Sequence, residues 1–478
     1  MTMSPRSTES NNAEARKNVV SRIFLLIALA ALGAVIPAPA ASRPNLIFIM
    51  ADDLGCGDLG CYGQKLIQTP RLDRMAAEGT RFTHCYAGAP VCAPARSVLM
   101  TGQHTGHTRV RDNSGRVGGA PDEMSDAGEG HRIPLLDEDV TVAEVLKKSG
   151  YATGITGKWG LGEAGTTGVP NRQGFDEWYG FLNQNHAVFY YTDYLWRDGK
   201  KETIEANKNN ARQKYTHDLF TEFALDFIRR HQKEPFFLYA AFTIPHADLE
   251  VPSLESYAAK AWPEQSKIFA AMVTRLDRSV GQILDLVTQL GLDGNTLVFF
   301  TSDNGSPEGG GAMFDSNGVF KGKKGTLNEG GLRVPMLVRW PGQVPAGRVS
   351  DAPWYFADLL PTLAELAGAT APKNIDGVSV LPTLLGKPQN LAERFMYWER
   401  PSKKFQQAAR RGDWKALRPG PHEPLQLFDV VGDPAENHDV AASHPDVVAK
   451  FETFLKTART ESPHWPGSAT PAKQKGQE

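Results

Sequence analysis

The 478-residue chain is poor in cysteine, with 4, and it lacks an excess of either charge, with 52 Lys and Arg against 54 Asp and Glu. So few cysteines exclude a disulfide-stapled scaffold, and the absence of any Cys-x2-Cys pair argues against a zinc site built from them. A formal net charge of −2, with no long run of Lys and Arg, argues against nucleic acid as a partner. An anionic substrate must therefore be met by local charge. No internal repeat is present. The chain also lacks an apolar run of the roughly 20 residues that a membrane span needs. The apolar stretch 23–36 is shorter, follows Arg16, Lys17 and Arg22, and precedes the small residues 37–42. This reads as a signal peptide over residues 1–41, cleaved near Ala40 or Ala41. No cysteine follows it to take a lipid, so the expected product has no stable membrane anchor and is exported, periplasmic or secreted, from a bacterial cell.

What the chain does have is length, at 41% hydrophobic and 22% charged residues, enough for more than one core. Apolar strand-like runs alternate with helix-like periodicity, as in an α/β fold with a large mixed, mainly parallel sheet flanked by helices. Helices are expected over 69–79, 141–148, 216–231, 263–290 and 356–366. After residue 388 the pattern changes to short strands at 394–399, 407–411, 414–417 and 426–429, then one amphipathic helix at 445–459. A smaller C-terminal antiparallel sheet plus helix follows from that. The expected division is a catalytic domain at 42–388, a small α+β domain at 389–462 and a disordered tail at 463–478.

Chemistry-bearing residues sit just beyond the strand-like runs. One buried run ends in Asp52 and Asp53, and another, 296–300, leads to Asp303 and Asn304. Four oxygen donors at the ends of two strands suit a hard divalent cation, calcium first and magnesium second. Cys92-Ala93-Pro94-Ala95-Arg96 places a cysteine at a helix start with an arginine four residues on, on the same face. Lys158 follows a strand-like run, His246 lies in Ile244-Pro245-His246 after another, and Lys324 opens Lys324-Gly325-Thr326. An open α/β sheet presents its ligand site in this position.

Taken together, these motifs resemble the type I, formylglycine-dependent sulfatases, arylsulfatase-like members of the alkaline phosphatase superfamily, from about Arg43 to Arg459. The resemblance implies that a formylglycine-generating enzyme oxidises Cys92 to formylglycine, whose hydrated aldehyde attacks sulfur. It implies that Asp52, Asp53, Asp303, Asn304 and residue 92 hold the metal. It assigns Lys158 and Lys324 to the sulfate oxygens, with Arg96 beside them, and His246 to the leaving oxygen. One position departs: sulfatases often carry Gly-Lys-x-His-Leu-Gly, with the histidine touching the formylglycine, where this chain has Gly160. His186 is the expected replacement base, with His107 a further contender. The loops 101–113 and 179–196 are rich in amide, imidazole and aromatic groups, which suits a sulfated saccharide, with an aryl sulfate as the simpler substrate. His107, Arg111, Asn113, Asn183 and His186 are the expected substrate contacts. The other readings are a phosphonate monoester or phosphodiester hydrolase of the same superfamily, or a non-catalytic glycan-binding protein whose site has decayed at Gly160. Of the remaining cysteines, Cys61 and Cys85 are the expected disulfide.

Overall fold

A strand of seven buried residues, β1 (Asn45–Ala51), runs through the middle of the molecule. Its alternation is two-sided: Leu46, Phe48 and Met50 enter one core layer, while Ile47, Ile49 and Ala51 enter the other. The computed structural model describes residues 1–2, 43–117, 131–307, 312–401 and 404–467. The expected signal peptide falls outside these residues, apart from its first two. No helix among the described residues is long and apolar enough to cross a membrane.

Nine further strands complete the large sheet: β2 (Thr80–Phe82), β3 (Ala152–Lys158), β4 (Glu177–Phe181), β5 (Tyr194–Arg197), β6 (Lys200–Thr203), β7 (Phe236–Ala241), β8 (Thr296–Ser302), β9 (Met336–Arg339) and β10 (Arg348–Ser350). Their order across the sheet is β10, β2, β9, β8, β1, β7, β3, β4, β5, β6. The central strands β8, β1, β7, β3 and β4 are parallel, and antiparallel strands flank them on both sides. Helices cover both faces: α1 (Pro70–Glu78), α2 (Cys92–Thr101), α3 (Val142–Lys148), α4 (Thr216–Arg230), α5 (Glu264–Gln289) and α6 (Leu359–Ala367). The expected helix at 356–366 begins with a 3-10 turn, Phe356–Asp358, before α6.

Beyond these lies an antiparallel four-stranded sheet, β11 (Met396–Arg400), β12 (Gln406–Arg411), β13 (Trp414–Arg418) and β14 (Gln426–Asp429), with α7 (Pro445–Leu455) packed on it. Both sheets belong to one compact unit from Arg43 onward. A buried charge network joins them. Lys415 on β13 places its ammonium 3.0 Å from Glu329 and 3.0 Å from Glu436, all without exposure. Glu436 also accepts the Glu329 backbone N–H at 2.8 Å, and its carbonyl accepts from Lys321 at 2.9 Å.

Two expectations need correcting. Cys61 and Cys85 are free thiols, as are Cys56 and Cys92: Cys85 is buried in one core layer and Cys61 packs against the other. Trp465 lies past the boundary expected at 462, yet it is buried and donates its indole N–H to the Arg109 carbonyl at 2.7 Å.

Candidate active site

The C-terminal ends of β1, β3 and β8 and the segment after β7 deliver the charged groups to one place. Cys92 is the first residue of α2, whose capping residue Val91 has no polar side chain. Asn113 supplies the missing acceptor from outside, taking the Ala93 backbone N–H at 2.9 Å. Gly102 closes the helix in the left-handed conformation, and every residue of α2 is buried. Cys92 and Arg96 therefore share one face, set rigidly at the carboxyl edge of the sheet.

The Cys92 sulfhydryl donates toward Asp52 Oδ1 at 3.5 Å. Burial pushes this thiol up to about 12, with Asp303 and Asp52 adding to the effect, so the unmodified cysteine stays protonated at neutral pH. Arg96 donates to Asp303 at 2.9 Å, to Asp52 at 3.3 Å and to the Lys158 carbonyl, entirely out of solvent. Lys158 reaches Asp52 Oδ2 at 2.6 Å, and Lys324 reaches Asp53 Oδ2 at 2.8 Å. His246 Nε2 lies 3.1 Å from the Lys324 ammonium and 3.5 Å from Asp53. Burial works against a charged Asp52, but Lys158, His246 and Arg96 outweigh it and hold the carboxyl well below its usual range. Asp303 is raised to about 6, chiefly by burial and then by Asp52. Burial lowers His246, which favours the neutral imidazole.

Asp52, Asp53, Cys92 and His246 each offer a donor atom within 4.8 Å of the others, as a metal site requires. Asn304 donates through its amide nitrogen to Asp53 at 2.7 Å, which turns its carbonyl oxygen the other way. That Oδ1 is buried with no hydrogen-bond partner. An orphaned carbonyl oxygen beside carboxylates is poorly suited to protein donors alone and well suited to a cation. The residues present fit a divalent ion.

The structure thus brings together Asp52, Asp53, Cys92, Arg96, Lys158, His246, Asp303, Asn304 and Lys324. The remaining expected residues are engaged elsewhere, Asn113 excepted. His186 is buried, with Nε2 on Thr192 Oγ1 at 2.8 Å and its ring against Phe181 and Tyr194. Burial lowers it to about 3, and it is not the base expected beside residue 160. The space expected for its imidazole is taken by Gln184: a Cβ added at Gly160 would run into the Gln184 side-chain amide, and the φ of +82° strains any side chain there. Asn183 accepts the His186 backbone N–H at 2.9 Å. His107 pairs with Asp376 at 2.9 Å. Arg111 is 3.2 Å from Glu399 and donates to the Thr460 carbonyl at 2.9 Å, so its guanidinium serves the joint with the smaller sheet.

Two residues of the 179–196 loop, Gln184 and Tyr190, stood out in the sequence only as part of its amide and aromatic content. Tyr190 donates its hydroxyl to the His246 carbonyl at 2.5 Å and to that of Thr243 at 3.2 Å, fixing the histidine segment from below.

Comparison with known proteins agrees with this geometry. The sulfatase family model matches residues 44–369, and the model for the C-terminal part of N-sulphoglucosamine sulphohydrolase matches 318–461. The chain is 37% identical to N-acetylgalactosamine-6-sulfatase of Sus scrofa, over 83% of this chain and 75% of that one. It is 31% identical to steryl-sulfatase of Mus musculus, over 88% and 83%. Among solved structures, Ps i-CgsB in complex with k-i-k-neocarrahexaose superposes with a TM-score of 0.77 at 30% identity, covering 90% of this chain and 96% of that one. The chain belongs to the sulfatase family, within the alkaline phosphatase superfamily, and is a sulfuric ester hydrolase.

Proposed function

We propose that the chain hydrolyses sulfate esters on a sulfated carbohydrate, with the nucleophile at position 92. The observation that carries this reading is the enclosure of Cys92 by Asp52, Asp53 and Asp303 together with Arg96, Lys158 and Lys324. Three carboxylates and three cations balance, so a divalent ion held there would leave about two positive charges for an anionic ester. Asp52, Asp53, Asp303, Asn304 and residue 92 would hold that ion, with calcium preferred to magnesium for loose, oxygen-rich coordination. When bound, it would supply positive charge to the sulfate oxygens and to the attacking oxygen. Formylglycine made from Cys92 by a maturation enzyme would, once hydrated, supply the hydroxyl that attacks sulfur.

The other roles belong to side chains in place. Lys158 and Lys324 neutralise oxygens of the bound sulfate. Their paired carboxylates, Asp52 and Asp53, fix where each ammonium points. His246, held by Tyr190 through its carbonyl, stands at the open side of the cluster, where it can donate a proton to the departing alcohol oxygen. Arg96 touches no solvent and acts by positioning Asp52, Asp303 and the Lys158 backbone. Export before action, and the division into a catalytic part at 42–388 and a smaller part that begins at 389 and reaches past 462 to Trp465, complete the proposal. Support for a sugar comes from the relatives' names: an N-acetylgalactosamine-6-sulfatase, and a neighbour solved in complex with k-i-k-neocarrahexaose.

The test is a mass spectrum of the peptide containing residue 92, from protein made with a maturation enzyme, combined with turnover assays. An aldehyde at position 92, release of sulfate from a sulfated saccharide and loss of nearly all turnover in Cys92→Ala are expected. An intact thiol in fully active protein, or faster turnover of aryl phosphonate or phosphodiester than of aryl sulfate, would overturn it.

A further inference from the structure

A cavity of about 480 Å³ opens beside the histidine segment, lined by residues 188–194, Asn207, Asn209, Asn210, Arg212 and 248–250. Tyr190 ties its floor to the active site through the hydrogen bond to the His246 carbonyl. Asp248, two residues beyond His246, lies on its wall. The cavity therefore adjoins the His246 segment of the active site.

Its lining has a definite chemistry. Phe189 is 49% exposed, unusual for a phenylalanine, and presents a bare aromatic face. Tyr191 is half-buried, its ring backed by Tyr215 at 5.4 Å and covered by the Arg212 guanidinium at 4.7 Å. Asn209 adds an exposed amide, held in a left-handed backbone at φ +54° that asparagine tolerates. The charge is one-sided. Among the described residues Arg212 is the only cation lining the cavity, and it is paired with Glu250, while Asp193 and Asp248 are exposed carboxylates. The carboxylates and the amide can accept from sugar hydroxyls, and the open face of Phe189 can cover ring C–H surface. The same carboxylates repel a second sulfate or a uronic acid.

We propose that this cavity is a subsite for an uncharged sugar residue adjoining the sulfated one, so that the preferred substrate is an oligosaccharide with a neutral neighbour. The proposal rests on the sulfated-carbohydrate reading above. It predicts that a sulfated disaccharide with an unsulfated, non-acidic neighbour has a higher kcat/KM than one whose neighbour carries sulfate or carboxylate.

The test compares three substrates, 4-nitrophenyl sulfate and those two disaccharides, on wild-type protein, Phe189→Ala and Asp193→Lys. Loss of the aromatic face should lower the ratio of neutral-neighbour disaccharide to aryl sulfate kcat/KM by about tenfold, mostly through KM. Asp193→Lys should move preference toward the disaccharide with the charged neighbour, a gain that misfolding cannot produce. Saturation-transfer NMR of the fully desulfated disaccharide gives a readout independent of turnover, with contact to wild type and loss of contact in Phe189→Ala expected. Sulfatase turnover with unmoved ratios in both variants, or a wild-type preference for the charged neighbour, would overturn the subsite. No turnover on any sulfated compound by protein carrying the aldehyde overturns the catalytic reading, and the NMR contrast then decides the cavity by itself.

Discussion

Replacing Lys415 with methionine should destabilise the folded chain more than any surface substitution can. The ammonium is fully buried and stands 3.0 Å from each of Glu329 and Glu436. Methionine retains most of the volume, so the loss is electrostatic and leaves buried carboxylates facing each other. Glu329 stays partly compensated by Tyr86, which donates to it at 2.7 Å, and by Arg333 at 2.8 Å. Glu436 has less: its Oε1 lies off the hydrogen-bond axis of the ammonium, and its other oxygen takes the Glu329 backbone N–H. Removing one partner of a buried pair costs about 3–5 kcal/mol, and full burial leaves no screening to discount. Chemical unfolding followed by circular dichroism and tryptophan fluorescence reads this as a lower midpoint at unchanged slope. The double variant Lys415→Met/Glu436→Gln removes the stranded charge while the amide oxygen can still accept from Glu329. It should recover at least about 1 kcal/mol relative to the sum of the single variants. A Lys415→Met cost under about 1 kcal/mol, or strict additivity in the double variant, would refute the claim that this network bears the joint between the sheets.

Three further outcomes are expected. Chelation of bound divalent metal should abolish turnover and lower the melting temperature, because Asp52, Asp53 and Asp303 lose a shared counter-charge; elemental analysis that finds active protein free of metal, or with stoichiometric zinc, contradicts this. His217 is buried, bonded to Ser279 at 2.9 Å and lowered by burial to about 3, so the unfolded chain takes up its proton first as pH falls from about 6.5. Stability should accordingly drop on acidification between about pH 6.5 and the folded value, and His217→Gln should flatten the slope in that window by up to about 1.4 kcal/mol per pH unit, measured by unfolding at fixed pH values. Gly160→Ala should destabilise by about 1 kcal/mol through the positive φ, since the Gln184 amide is the end of a flexible side chain that can swing aside. A neutral variant in chemical unfolding would refute the backbone strain.

The sequence displayed the proposed catalytic groups because each follows a feature with a strong local pattern. Asp52 and Asp303 stand at the ends of apolar β-branched or aromatic runs, and Cys92 and Arg96 are four residues apart on one helix. The supporting residues have partners too distant to read. Arg111 meets Glu399 and His107 meets Asp376, separations of 288 and 269 residues that no periodicity reports. Both look like polar loop residues suited to a sugar, and in the structure both are held by distant carboxylates. His186 misled for a related reason: its nearness in sequence to Lys158 said nothing of the aromatic packing that takes the ring away from the cluster. The expected disulfide failed because Cys85 lies in a short strand buried in one core layer, while Cys61 lies in a 3-10 turn packed against the other. Of the small antiparallel sheet, strand positions were plain from turn residues, whereas the Lys415 network depends on side chains from three separate segments.

The burial of α2 also sets an order of events. Cys92 is 1% exposed, locked in the first helical turn, with Asn113 holding the adjacent backbone. On the proposed conversion of Cys92 to formylglycine, an enzyme would find this side chain out of reach once the helix has docked. The oxidation would then fall between synthesis and folding. A chain that folded first would keep a protonated thiol, and the fraction of active molecules in a preparation would measure a kinetic competition, independent of how stable the finished fold is.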